Sequence, residues 1–71
     1  MTARTLITRA EQSPRHSVRR HDWGVCITAG RRSADVYIRQ GRFCGAHHSV
    51  MRDDSPDTMT VAETATYLRL T

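Results

Sequence analysis

Hydrophobic and polar residues alternate from Trp23 to Ala29 and again from Asp35 to Arg39, and this two-residue period is the plainest structural signal in the chain. In the first run Trp23, Val25, Ile27 and Ala29 fall on one side; in the second, Val36 and Ile38 do. Gly30-Arg31-Arg32-Ser33 reads as a turn between them. Gln40-Gly41 reads as a second, tighter turn whose glycine accepts positive φ, and Arg42–Ala46 as a third short strand. A two-residue loop at Arg31-Arg32 sets Val25 opposite Ile38 and Ile27 opposite Val36, and one at Gln40-Gly41 sets Ile38 opposite Phe43. Directly paired residues share a face. Both turns therefore predict a single apolar side carrying Trp23, Val25, Ile27, Val36, Ile38 and Phe43.

The period is lost on either side of this centre. Residues 1–21 show no sustained repeat, contain Pro14 and end in Arg19-Arg20-His21, so only a weak helical stretch around Leu6–Gln12 is expected there. Residues 47–58 hold two histidines, Asp53-Asp54 and Ser55-Pro56-Asp57, a loop composition. Thr60-Val61-Ala62-Glu63 then forms an S/T-x-x-E capping box, and Val61, Ala65 and Leu68 line one helical stripe that can cover the sheet. The expected fold class is α+β: a small three-stranded antiparallel meander followed by a C-terminal helix, with a disordered basic N-terminal arm. The corresponding divisions are a flexible arm over 1–21 and a single small domain over 22–71. Within that domain the meander spans 22–46, the loop 47–58 and the helix 59–70.

Composition changes this picture in one respect: the core is thin. Leu, Ile, Val and Phe make up 12 of 71 residues. Burying about six large side chains at roughly 1.5–3 kcal/mol each is a gross gain that chain entropy largely offsets. A homodimer interface or a protein partner would supply further burial. No apolar run approaches the length of a membrane span and no secretory signal is visible at the N-terminus. The first twenty residues do hold five arginines, five Ser/Thr and only Glu11 as an acid, a bias shared by organellar transit peptides and by disordered basic arms. Two cysteines are too few for a disulfide scaffold and suit a reducing compartment, the cytoplasm.

Charge points to a partner. The formal net charge is +4, and all eleven basic residues are arginine. Ten of them lie in residues 1–52, whereas residues 53–71 carry Arg69 against Asp53, Asp54, Asp57 and Glu63. A basic body suggests an anionic macromolecule, and guanidinium groups suit phosphate and guanine alike. The side of the meander away from the core carries Cys26, Thr28, Asp35, Tyr37, Arg39 and Arg42, with Arg31 and Arg32 at the turn. Arginines flanking a tyrosine on an open sheet suit phosphate contact and base stacking. The candidate nucleic-acid-binding residues are Arg19, Arg20, Arg31, Arg32, Tyr37, Arg39 and Arg42, and duplex DNA is the expected ligand.

Other chemistries are less well supported. His21, Cys26, Cys44 and His47 have the loose spacing of a structural zinc site. The meander, however, puts both cysteines opposite Tyr37 on outer strands, about 9–10 Å apart, too far for zinc–sulfur bonds of about 2.3 Å or for a disulfide. A zinc-stabilised mini-domain is thus an alternative only. A Cys44 nucleophile with His47 or His48 as base lacks a concave pocket, and no phosphate-binding glycine loop or hydrolase motif is present. Asp53-Asp54 beside Pro56 reads as a turn more readily than as a cation site. No enzyme activity, cofactor, small-molecule substrate or membrane association is expected.

Residues 59–71, Met-Thr-Val-Ala-Glu-Thr-Ala-Thr-Tyr-Leu-Arg-Leu-Thr, resemble the opening of excisionase and MerR-like helix-turn-helix domains. In that pattern Thr60 matches the cap, Glu63 the capping-box acid, Ala65 the small helix-contact residue, Tyr67-Leu68 the core pair and Leu70-Thr71 the turn into the next helix. Thr64 departs from the usual alanine, and the sequence ends where the recognition helix would begin. The resemblance implies a DNA-binding regulator whose base-reading helix is missing, a truncated product. The expected function is a small, basic, non-enzymatic nucleic-acid-binding accessory protein. A protein-interaction or structural module is the alternative from a different class.

Overall fold

The computed structural model describes residues 2–48 and 58–70. In chain order the elements are α1 (Ala3–Gln12), β1 (His16–His21), β2 (Gly24–Ala29), β3 (Arg32–Arg39), β4 (Arg42–His48) and α2 (Val61–Tyr67). The four strands form one antiparallel meander in the order β1-β2-β3-β4. Both helices contribute to a single core against one face of this sheet: Leu6, Ile7 and Ala10 from α1, and Ala65 from α2 with Leu68 and Leu70 beyond it, meet Val25, Ile27, Ala34, Val36 and Ala46. Among the described residues, no helix lies on the opposite face.

This architecture corrects the expected three-stranded meander with a disordered arm. Residues 3–12 are an ordered helix, and residues 16–21 are a fourth strand. Ala3, Leu6, Ile7 and Ala10 are all buried, and they stand at i, i+3, i+4 and i+7, a full helical stripe. Two of the four positions are alanine, so the stripe is faint in hydropathy and the helix depends on the sheet beneath it. Thr2 caps it, its hydroxyl accepting from the Thr5 amide at 3.2 Å. In β1 the half-buried positions are His16 and Val18, and the remainder is exposed. An edge strand with one large apolar residue has almost no period to read. Its ladder to β2, from His16 opposite Ala29 to His21 opposite Gly24, holds it in place.

The central register also differs from expectation, without changing the core face. The β2–β3 loop is Gly30-Arg31, with Gly30 at φ 64°, the positive value a type II′ turn needs at its first position. Val25 therefore faces Val36 and Ile27 faces Ala34. The displacement is by two residues, and an even slip keeps every side chain on its own side. Ile38 faces Phe43 as predicted across Gln40-Gly41, both at positive φ. A bulge between Tyr37 and Ile38 then takes Cys44 out of the ladder, so Gly45 faces Tyr37 and Ala46 faces Val36. His47 and His48, assigned to a loop, belong to β4. Residues 49–57 of the expected loop, including Asp53-Asp54 and Ser55-Pro56-Asp57, lie outside the described residues, as does Thr71.

The capping box of α2 forms: the Glu63 amide donates to the Thr60 hydroxyl at 3.1 Å, and the Thr60 amide donates to the Glu63 carboxylate at 3.0 Å. Thr64 is fully buried, its hydroxyl donating to the Thr60 carbonyl at 2.7 Å. The helix stops at Tyr67, short of the expected end at 70, in a Schellman turn. There the Leu70 amide donates to the Ala65 carbonyl at 2.8 Å and the Arg69 amide to the Thr66 carbonyl at 3.2 Å. Arg69 takes the left-handed position at φ 57°, which costs a non-glycine residue roughly 1–2 kcal/mol. Three side chains from other elements receive the last carbonyls: Arg32 donates to Tyr67 at 3.0 Å, His16 Nε2 to Leu68 at 2.7 Å and Arg9 to Leu70 at 3.3 Å. Among the described residues no helix is long and apolar enough to cross a membrane.

Candidate nucleic-acid interface

The ladder sorts the side chains of the helix-free face into rows across the strands. One row runs Ser17, Thr28, Ser33; the next runs Arg19, Cys26, Asp35, His47; the third runs His21, Gly24, Tyr37, Gly45. Beyond the third row, Arg39 and Arg42 face each other at the mouth of the β3–β4 hairpin.

Rings dominate the middle of this face. His21 stacks on Trp23 with centroids 4.6 Å apart and planes 7° from parallel. Trp23 meets Tyr37 at 5.1 Å, and Tyr37 meets His47 edge-on at 5.5 Å. These spacings are those of favourable aromatic pairs, and the four rings connect β1 to β4. Trp23 is 38% exposed, the one large hydrophobic side chain left open among the described residues.

The backbone explains how Trp23 comes to lie there. Alternation alone carries it into the core, but Asp22-Trp23 is the β1–β2 turn, where the strand period no longer applies. The Ile38 amide donates to the Trp23 carbonyl at 2.9 Å, tying this turn to β3 at its bulge. Such an approach requires Gly24, at φ 149°, because a β-carbon there would run into the Val36 carbonyl oxygen. The turn thus folds against β3, and the indole bridges His21 and Tyr37 across a position that has no side chain.

The candidate residues divide between the two faces. Arg19, Tyr37, Arg39 and Arg42 lie on the helix-free face, and Arg31 sits exposed in the β2–β3 turn. Arg39 and Arg42 are directly paired like charges, an arrangement that costs stability. Neither has an acidic partner among the described residues. Arg20 belongs to the other side: paired opposite Val25, it holds Glu11 of α1 at 2.8 Å in an exposed ion pair. Arg32 likewise faces the helices, bonding the Tyr67 carbonyl and lying 5.5 Å from its ring centroid. His21, Trp23 and His47 were not expected as interface residues. The signal for Trp23 was its place immediately before a glycine-initiated strand, inside a two-residue hairpin loop.

Cys26 and Cys44 are not joined by a disulfide, and Cys26 faces Asp35 rather than Tyr37. No three His, Cys, Asp or Glu side chains converge on a metal-binding geometry among the described residues. His21 and His47, the proposed nitrogen ligands, are instead engaged with the indole and the phenol ring. Comparison with family models, curated proteins and solved structures finds no match to this chain.

Proposed function

We propose that this protein is a non-enzymatic nucleic-acid-binding module that takes an unpaired strand across its helix-free sheet face. The observation that carries this reading is the ring series His21–Trp23–Tyr37–His47, flanked by Arg19, Arg39 and Arg42. Base–aromatic stacking tolerates any sequence because every base has a π-face, and arginines beside the rings supply phosphate contacts. Sheet width favours an unpaired strand over the duplex suggested by sequence. Four strands at about 4.8 Å spacing span roughly 14 Å between the outer two, against a major groove about 12 Å wide. Two cysteines not joined by a disulfide suit a cytoplasmic setting.

The chain has a single tryptophan, Trp23, so intrinsic fluorescence reports directly on this face. Titration with a single-stranded oligonucleotide at low salt is expected to quench it saturably. The log–log salt dependence should have a slope of about −0.7 per neutralised phosphate. Absence of quenching at low salt, or binding indifferent to salt, would overturn the reading. Tighter binding of a duplex of equal length would overturn the preference for an unpaired strand.

A further inference from the structure

At the end of the sheet remote from the Arg39–Arg42 pair, the C-termini of both helices meet the start of β1 and the β2–β3 turn. Two open hollows lie there, of about 570 and 330 Å³, sharing Ser13, His16 and Arg69 in their walls. Arg15 and Gly30 complete the larger, and Arg9 helps to form the smaller. Among the described residues, no acidic side chain lines either one.

The polar groups in these walls are unevenly occupied. His16 is committed at both nitrogens, to the Ser13 hydroxyl at 2.6 Å and the Leu68 carbonyl at 2.7 Å, and Arg9 gives one nitrogen to the Leu70 carbonyl. The Leu68 and Leu70 carbonyls, which would repel an anion, are thus already covered by donors. The Arg15 and Arg69 guanidinium groups, by contrast, have no partner among the described residues. Arg69 also stands in the wall of both hollows while holding the left-handed position of the Schellman turn. Glycine serves that turn without strain, so the left-handed backbone itself gives no reason for an arginine there. A strained residue persisting at a cleft wall is the pattern of a functional position.

We propose that this basic cleft binds a phosphomonoester dianion through Arg15 and Arg69, with Arg9 closing its inner side. Guanidinium forks match phosphate oxygens bidentately, and two of them with no acidic side chain beside them among the described residues favour a terminal phosphate group. Free orthophosphate and the phosphorylated end of a nucleic-acid strand both carry this chemistry. Occupancy of the cleft does not require that the sheet face bind a strand.

The test is an amide chemical-shift titration of the whole chain with inorganic phosphate. A second arm compares an oligonucleotide bearing a 5′-phosphate with its 5′-hydroxyl form. Saturable shifts are expected at Arg15, Gly30 and Arg69, and the phosphate end should add to these local shifts whether or not Trp23 fluorescence responds. Response to orthophosphate alone assigns the cleft to a free ligand, and response to the phosphorylated end alone assigns it to a strand terminus. Arg69→Gly keeps the left-handed turn, so it should raise Tm while weakening binding at least about tenfold. Arg15→Gln should weaken binding comparably with Tm unchanged. Failure of all three amides to shift saturably, or wild-type affinity in Arg69→Gly, would overturn the proposal.

Discussion

Gly24 shows how much one residue can decide. The sequence presents it as the second position of an alternating run that begins at Trp23. In the structure its missing β-carbon is what allows the Trp23 turn to lie against β3. The obstacle to a side chain is backbone, the Val36 carbonyl, so no rotamer change relieves it. Gly24→Ala is expected to cost more than ~2 kcal/mol, lowering Tm by roughly 4–8 °C per kcal/mol, as thermal unfolding by circular dichroism would record. An unchanged Tm would show that this approach is not required. Trp23 carries the complementary lesson. Parity along a strand assigns a face only while the residue is in the strand, and the hairpin loop released Trp23 from that rule. Gln40-Gly41 was legible because a two-residue hairpin loop that needs positive φ has few residue choices.

At the level of elements, α1 and β1 were hidden for two different reasons. The α1 stripe was spaced correctly, but its alanines carry little hydropathy and its stability comes from the sheet. β1 is a polar edge strand whose only large apolar side chain is Val18, and main-chain pairing needs no side-chain pattern. Leu6 separates a packed helix from a loose arm. It is fully buried, so Leu6→Ala is expected to cost about 2–5 kcal/mol. That is a large share of the roughly 4–10 kcal/mol that a chain of this length possesses. Denaturant unfolding should therefore move to a much lower midpoint, an effect that mutation in a disordered segment could not have. Glu11→Gln, which breaks the exposed pair with Arg20, should change stability by no more than ~1 kcal/mol and less as salt rises. The capping box of α2 was readable from Thr60 and Glu63 because it is satisfied within four residues of chain. Its Schellman end was not readable, since nothing local marks Arg69 as left-handed.

Viewed whole, the molecule places its two helices on one side of the sheet and its rings on the other. The Cα radius of gyration is 11.0 Å, close to the ~11 Å expected of a compact domain of this length. A thin core can support this architecture because it serves one face only. Among the described residues, the helix-free face is made of side chains that combine ring surface with polar edges. Tyr37→Ala removes the ring between Trp23 and His47 without touching the core. It is expected to weaken single-strand binding by about 1–3 kcal/mol, read as a right-shifted Trp23 quenching curve with the far-ultraviolet dichroism unchanged. Equal affinity in the variant would remove the stacking surface from the proposed function. Of the arginines expected at the interface, Arg19, Arg39 and Arg42 share the ring face, Arg31 flanks it in a turn, and Arg20 and Arg32 brace helices on the other side.

Sequence alone determined what depends on near neighbours: the alternating runs of β2 and β3, the tight turn at Gln40-Gly41, the capped start of α2, and the even parity that kept the core side chains together through a two-residue register error. Only the tertiary structure decided what depends on a partner element. It made α1 a helix by giving its faint stripe a sheet to cover, made β1 a strand by offering the open edge of β2, and turned Trp23 outward through a hydrogen bond to Ile38. Short-range hydrogen bonds and periodicity are written into consecutive residues. Burial and close backbone approach exist only once distant segments meet.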